Sequence, residues 1–188
     1  MKASKGSAFE REICKKLSLW WTKYSDQPRE DIFWRTAGSG ARAKVRGRKN
    51  KKTAGQHGDI AAIDPIGKPF IDLLTLELKR GYNKSTIADL LDKPAKAAKQ
   101  VYEKWFEQAK ESAEQAKSVS WALIVKHNQR EPIIFMPHEF IEWMGWDEWP
   151  TLPQLYLDCE QGCICGVLLS DFLEQAFPED IEAFIEKR

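Results

Sequence analysis

The chain has 188 residues, of which 43% are hydrophobic and 30% charged, which is enough for one domain with a packed core. It contains no run of 18 apolar residues, so we expect no membrane-spanning helix, and its charged first residues exclude an apolar signal core and favour a cytoplasmic location. The net charge of +1 conceals an asymmetry: residues 131–188 carry 13 acidic and two basic residues, and the other 130 residues sum to +12. The basic part predicts a polyanionic partner.

The periodicity of apolar residues predicts the elements. Helices are predicted at residues 7–24, at 84–117 with a break near Pro94, and over most of the chain after Pro137. Strands are predicted at residues 31–35, 59–64, 70–79, 120–126, 132–136 and 163–168, with a turn at 65–68. This order predicts an α/β or α+β fold with a mixed central sheet flanked by helices. We predict a core of residues 1–136, with an acidic, Trp-rich and mainly helical extension of residues 137–188 packed on it.

A basic segment lies within residues 38–58, which contain five glycines, seven Lys and Arg and no acid. Such a composition cannot bury a core and predicts a mobile loop, which we place at residues 40–58. Its cations are candidates for contacts with DNA phosphates, and they include Arg42, Lys44, Arg46, Arg48 and Lys49. A solvated loop without a ligand is the other interpretation.

The strongest predicted strand contains a Glu-x-Lys motif at Glu77 and Lys79. Because side chains alternate along a strand, Thr75, Glu77 and Lys79 should share one face and the intervening leucines the other. Carboxylates that hold a divalent metal ion, with a lysine beside the attacking water, are what phosphodiester hydrolysis requires. The carbonyl of Leu78 is available as a further metal ligand. A solvated ion pair on a half-exposed strand is the alternative.

Asp59 is the acid best placed to join this motif. It follows Gly58 and opens the preceding strand, which the predicted turn folds back beside the motif. Asp64 and Asp72 compete with it, but the first lies in the turn and the second early in its strand. An aspartate at a strand edge beside a flexible glycine is the alternative interpretation.

Glu10 is the third candidate acid. It lies on the first predicted helix, at the border of the apolar face. Ser7 is a plausible N-cap, and Ser7 to Glu10 also fits a capping box, in which the glutamate would stabilise the start of the helix. Both interpretations of Glu10 stay open at this point.

Four segments occur in an order that resembles a known family. They are KGSAFERE at residues 5–12, RTAGS at 35–39, GDI at 58–60 and ELK at 77–79. Together they resemble the archaeal-type Holliday junction resolvases, which belong to the PD-(D/E)xK nuclease superfamily. The likeness covers about residues 4–80 and continues loosely through residues 100–105 and 121–126. It implies a restriction-endonuclease-like core over residues 1–136.

The resemblance also implies roles for individual residues. Glu10, Asp59 and Glu77 would be the acids of the metal site, and Lys79 the catalytic lysine. Contacts near the scissile phosphate are implied for Arg11, Arg35 and Ser39. Members of this family depend on Mg²⁺, are often homodimeric and leave 5′-phosphate ends.

We therefore predict an endodeoxyribonuclease that uses Mg²⁺ or Mn²⁺ on duplex or branched DNA. Residues 39–59 form a longer stretch than in the archaeal enzymes, and the acidic extension has no counterpart there. A phage or bacterial nuclease of the same superfamily, or a restriction-type enzyme, therefore fits as well. The alternative from another class is a DNA-binding or assembly protein with this fold and no chemistry. Cys159, Cys163 and Cys165 are expected to be reduced, because an intracellular chain keeps its thiols reduced. Small buried thiols are favoured over a structural zinc site, because no clear fourth ligand accompanies the three cysteines.

Overall fold

The computed structural model describes residues 5–36, 57–92, 94, 98–146 and 154–187. Within them the helices are α1 (Lys5–Trp21), α2 (Lys68–Leu73), α3 (Val101–Ala116), α4 (His138–Trp143), α5 (Leu169–Gln175) and α6 (Pro178–Glu186). The strands are β1 (Phe33–Arg35), β2 (Ile60–Ala62), β3 (Leu74–Arg80), β4 (Ser120–Lys126), β5 (Ile133–Pro137), β6 (Leu155–Cys159) and β7 (Gly162–Leu168). Short 3-10 helices lie at Pro65–Gly67 and Ile87–Leu90. Among these residues, no helix combines the length and the apolar character that crossing a membrane requires.

A mixed five-stranded sheet in the order β3-β4-β5-β7-β6 forms the centre of the fold. β3 and β4 are parallel and are connected through α3, whereas the other neighbours are antiparallel. β1 and β2 form a separate antiparallel pair, in which Arg35 lies opposite Ile60. This mixed sheet with flanking helices confirms the predicted fold class.

Helices cover the sheet on both faces and divide the core in two. On one face, Leu74, Leu76 and Leu78 of β3 pack in one cluster with residues of α1 such as Phe9 and Ile13. On the other face, apolar residues of α3 pack on β4 and β5, and they are Tyr102, Trp105, Phe106, Ala109 and Ala113. The predicted alternation along β3 is confirmed, because its leucines join the α1 side of the core and Glu77 contacts α3.

The prediction of a strand from residue 70 is wrong for residues 70–73, which belong to α2. Pro69 lies in the first turn of α2, where its missing N–H costs nothing. Phe70 and Leu73, three residues apart, are the buried side chains of this helix, so they follow a helical period and not the period of two of a strand. The predicted turn at 65–68 is a 3-10 helix that runs into α2.

The predicted helix over residues 84–117 is a regular α-helix only from Val101 to Ala116. Gln100 caps α3, because its backbone N–H donates to a carboxylate oxygen of Glu103 at 2.6 Å. Lys117 ends the helix in the left-handed conformation with φ 61°. Local capping therefore decides the start of the helix within a segment whose composition favours helix throughout.

The C-terminal segment contributes strands as well as helices. The strand expected at residues 163–168 is confirmed by β7, whereas β6 was expected to be helical and that expectation is wrong. β6 pairs antiparallel with β7, and Leu155 and Leu157 point to the α3 side of the core, so the period of two applies here. β7 pairs with β5, so the sheet continues across the boundary that we predict at residue 136.

The three cysteines of this segment are free thiols on β6 and β7. The strand register places Cys163 opposite Asp158 and Cys165 opposite Tyr156. Over the described ranges, no three or more Cys, His, Asp or Glu side chains are grouped to hold a metal ion, here or elsewhere.

Candidate active site

The outer edge of β3 positions Asp59 beside the Glu-x-Lys motif. β3 is the first strand in the sheet order, and the chain at Asp59 lies against it. The Asp59 backbone N–H donates to the Leu76 carbonyl at 2.8 Å, and the Leu78 N–H donates to Asp59 Oδ2 at 2.8 Å. Asp59 is only 5% exposed. A main-chain donor therefore holds the carboxylate at the centre of the motif.

Gly58 allows this close approach. Its φ is +74°, and a Cβ at this position would lie 2.8 Å from the Leu76 carbonyl oxygen and 2.9 Å from the Thr75 side chain. Only glycine combines that conformation with that space. Thr36 holds the segment from the other side, because its hydroxyl donates to the Gly58 carbonyl at 2.9 Å and its N–H to the Asp59 carbonyl at 3.0 Å.

Glu77 is held by helix α3. Its side chain is 2% exposed, and Ser112 Oγ donates to Oε1 at 2.8 Å. The Gln108 side-chain amide donates to Oε2 at 2.8 Å, and Lys79 Nζ lies 3.3 Å from the same oxygen. Gln108 and Ser112 are four residues apart and so lie on one face of α3.

Gln108 and Ser112 are not among the residues predicted from the sequence. A signal is nevertheless present, because Ser112 interrupts a buried stripe of α3 that is otherwise formed by residues such as Trp105, Ala109 and Ala113. A polar side chain in such a stripe needs a hydrogen-bond partner. The sequence alone does not identify that partner, since Glu77 lies 35 residues away.

The Leu78 carbonyl faces the same edge as Asp59. In a strand, the N–H and C=O of one residue point to the same side, and successive residues alternate. Because the Leu78 N–H donates to Asp59, its carbonyl also points towards the outer edge of β3. The candidate donor set therefore consists of two carboxylates and one main-chain carbonyl.

The electrostatics of this set suit a divalent cation. Burial, and after it the nearby carboxylate of Glu77, raise the pKa of Asp59 to about 7, against the lowering effects of the Leu78 N–H and Lys79. The positive charge around Asp59 in the protein alone is therefore too small to offset its burial and the charge of its neighbour. Carboxylate and carbonyl oxygens are the ligands that hard divalent cations prefer, so these residues fit the metal ion that the resemblance implies.

Glu10 forms an ion pair in place of the alternative capping box. Its Oε2 lies 3.2 Å from Nη1 of Arg35 on β1. The described part of α1 begins at Lys5, so Ser7 lies within the helix and the interpretation of Ser7 as its N-cap is wrong. The charge of Glu10 contributes to the raised pKa of Asp59 and also, with burial as the larger cause, to that of the Cys14 thiol, at about 12.

Glu10 nevertheless does not join Asp59 and Glu77 as a third member of one ligand cluster. No such cluster of three occurs within the part of the chain that the structure describes. The guanidinium of Arg35 holds the Glu10 carboxylate instead. Direct metal ligation by all three acids therefore stays a prediction.

The two competing acids lie elsewhere. Asp64 accepts a hydrogen bond from the Ile66 N–H and pairs with Arg29 at 2.7 Å. Asp72 is on α2 and pairs with Lys68 at the surface. Asp59 is the candidate that contacts the motif.

The predicted DNA contacts are only partly described. Arg11 is exposed on α1, and Arg35 pairs with Glu10. The others lie outside the described residues, and they are Ser39, Arg42, Lys44, Arg46, Arg48 and Lys49.

The chain matches a family model over residues 1–152, and that family is described as "Phage putative PDDEXK endonuclease". The match includes α1, Asp59, the Glu77 to Lys79 motif and α3. A search of curated proteins gives no significant match, and neither does a search of solved structures. The predicted superfamily is thereby confirmed, whereas the finer resemblance to archaeal-type Holliday junction resolvases stays a prediction. Because the match covers most of the chain, this protein belongs to that phage PDDEXK endonuclease family, whose description indicates a nuclease.

Proposed function

We propose that this protein is a metal-dependent endodeoxyribonuclease whose active site is the outer edge of β3. Membership of the family supports nuclease activity. One observation supports the location: Asp59 and Glu77 are both buried, Asp59 accepts a hydrogen bond from the Leu78 N–H, next to Glu77, and Lys79 Nζ lies 3.3 Å from the Glu77 carboxylate. Two acids and a lysine converging from rigid elements are what metal-assisted hydrolysis requires.

Each residue has a defined role in this proposal. Asp59, Glu77 and the Leu78 carbonyl would hold Mg²⁺ or Mn²⁺. The bound ion supplies charge neutralisation at the phosphate and lowers the pKa of a water molecule. Lys79 orients the nucleophile, since its amine has two further protons to donate beside the one directed at Glu77. Glu10 would bind the metal or its water, with its carboxylate oriented by the ion pair to Arg35.

DNA is the proposed substrate, either duplex or branched. Arg11 is exposed on α1 and Arg35 pairs with Glu10, and in this proposal both contact the DNA near the scissile phosphate. The basic residues within 40–58 would add further phosphate contacts. Neutralising several phosphates makes binding steeply dependent on salt concentration. Selectivity for four-way junctions and a homodimeric assembly are finer proposals that follow from the resemblance to the resolvases.

A nicking assay tests the proposal. The full-length protein is incubated with supercoiled plasmid, a four-way junction and the matched linear duplex, in Mg²⁺, Mn²⁺ or EDTA. We expect cleavage with either metal ion and none in EDTA. Asp59→Ala and Glu77→Ala should abolish cleavage but bind DNA in EDTA as the wild type does. Asp72→Ala is the matched control, because Asp72 is a surface acid that pairs with Lys68. This variant should cleave DNA as the wild type does.

Two outcomes would contradict the proposal in different ways. Undiminished cleavage by both Asp59→Ala and Glu77→Ala would place the active site elsewhere. DNA binding without cleavage of any substrate by the wild type, in either metal ion, would favour a DNA-binding protein that does no chemistry. The ratio of junction to duplex cleavage decides whether the resolvase-like specificity applies.

A further inference from the structure

Helix α3 supplies two neutral hydrogen-bond donors to Glu77. Ser112 Oγ donates to one carboxylate oxygen and the Gln108 amide to the other, each at 2.8 Å. Both donors come from α3, a helix that supplies none of the proposed metal ligands. Glu77 is 2% exposed, so few water molecules can replace them.

We infer that Gln108 and Ser112 are positioning residues, which hold the Glu77 carboxylate in the orientation that binds a divalent metal ion. This inference rests on the proposed function, because it assigns Glu77 as a ligand. Partners that orient a metal ligand commonly change metal affinity by about 10–100-fold when they are removed.

The geometry explains why two neutral donors suit this position. One donor on each oxygen fixes the plane of the carboxylate, which a single hydrogen bond would leave free to rotate. Neither donor carries a charge, so α3 orients the Glu77 carboxylate without adding a positive charge that would compete with a cation.

A purely structural role explains the arrangement less well. α3 already packs on β4 through Trp105, Phe106, Ala109 and Ala113, all of which are buried. Alanine in place of Ser112 would continue that stripe and would avoid burying a hydroxyl group. The hydroxyl of Ser112, which is also buried, is thus accounted for by its bond to Glu77.

The experiment compares matched substitutions on and near α3 in the full-length protein. Gln108→Met and Ser112→Ala remove the donors with little change in volume. Gln115→Met is the control for the first, since Gln115 is exposed on the same helix. Ser118→Ala is the control for the second, since its hydroxyl contacts Thr75 at 2.7 Å, two residues before Glu77 on β3. Calorimetric titration with Mn²⁺, without DNA, gives metal affinity, and cleavage kinetics give kcat and KM.

We expect Gln108→Met and Ser112→Ala each to weaken Mn²⁺ binding by about 10-fold and to lower kcat by a similar factor. KM and DNA affinity in EDTA should stay within about twofold, because neither side chain is proposed to contact DNA. Ser112→Thr, which keeps the hydroxyl, should restore most of the Mn²⁺ affinity. Both controls should match the wild type.

Wild-type Mn²⁺ affinity and kcat in both donor variants would overturn the inference but leave the proposed function intact. Equal losses in the control variants would also overturn it, because they would indicate general loosening of α3. If Ser112→Ala does not fold, the inference is still tested by the Mn²⁺ affinity of the other two variants, which should be lowered in Gln108→Met and largely kept in Ser112→Thr. A wild type that neither binds Mn²⁺ nor cleaves DNA would instead contradict the proposed function itself.

Discussion

The two acids of the candidate site are held in different ways by two regions of the molecule. Asp59 is positioned by main-chain groups, namely the Leu76 carbonyl, the Leu78 N–H and the backbone of Thr36. Glu77 is positioned by side chains on α3. The position of Asp59 should therefore depend on the path of the backbone, and that of Glu77 on the chemistry of particular side chains.

The largest effect is expected at Asp59 itself. Asp59→Asn should lower cleavage by roughly 10³-fold or more, since a metal ion contributes several kcal/mol of charge stabilisation. At pH 8 without metal, the same change should stabilise the fold by about 1–4 kcal/mol, because it removes a carboxylate whose burial raises its pKa to about 7. A cleavage assay and urea unfolding, carried out on one preparation of the variant, measure the loss of activity and the change in the free energy of unfolding. A variant that loses activity together with stability would contradict this role for Asp59.

The same pKa predicts how the metal-free protein responds to pH. Below about pH 4 Asp59 is protonated in both the folded and the unfolded state, and above about pH 7 it is charged in both. In between, only the folded state keeps the proton, so stability from this group falls as pH rises. The melting temperature in EDTA should therefore fall between pH 5 and pH 8. Asp59→Asn should flatten that slope, and an unchanged slope would assign the pH dependence to another group.

The backbone path is tested most directly at Gly58. Gly58→Ala should destabilise the protein by about 2–4 kcal/mol, because it adds a contact with a carbonyl oxygen to the strain of a positive φ. Cleavage should fall too, since the change moves Asp59 away from Leu78. Gly145→Ala is the matched control: its φ is +67° and no described atom lies within 4 Å of the added carbon. The control should cost about 1 kcal/mol and leave cleavage unchanged.

The contrast between the two regions also explains what the sequence predicts and what it does not. Asp59, Glu77 and Lys79 are predictable because they lie near one another along the chain, and the period of two in β3 fixes which side chains share a face. Gln108 and Ser112 are not predictable, because their contact with Glu77 depends on how α3 packs across the sheet.

The errors in secondary structure have a similar origin. Phe70, Ile71 and Leu73 are apolar, and so short a segment fits either period, whereas Pro69 lies in the first turn of the helix that forms there. β6 is a short strand that pairs, among the described residues, only with β7, and a two-stranded hairpin alone is marginally stable. β6 therefore depends on the pairing of β7 with β5, which joins the hairpin to the rest of the sheet. In both cases tertiary packing decides between two local conformations that the sequence permits.

A smaller effect is expected at Thr36. Thr36→Val keeps the shape of the side chain and removes the hydrogen bond to the Gly58 carbonyl. We expect a loss of about 1–2 kcal/mol, or a few degrees in melting temperature, because a buried acceptor loses its partner. Cleavage should fall only a few-fold, since the main-chain bonds of Asp59 remain. Thr36→Ser is the control and should keep most of the stability, whereas equal losses in both variants would attribute the effect to packing.

The smallest effects on stability separate Glu10 from Glu12, two acids of α1 that both form ion pairs. Glu12 pairs with Lys126 at 3.2 Å and is 36% exposed, so Glu12→Gln should cost about 0.5 kcal/mol and leave cleavage unchanged. Glu10 pairs with Arg35 at the same distance and is 18% exposed, so Glu10→Gln should cost about 1 kcal/mol. If Glu10 acts on the metal or its water, Glu10→Gln should in addition lower cleavage by about 10-fold or more. Equal activity of the two variants would restrict Glu10 to its ion pair and leave the chemistry to the edge of β3.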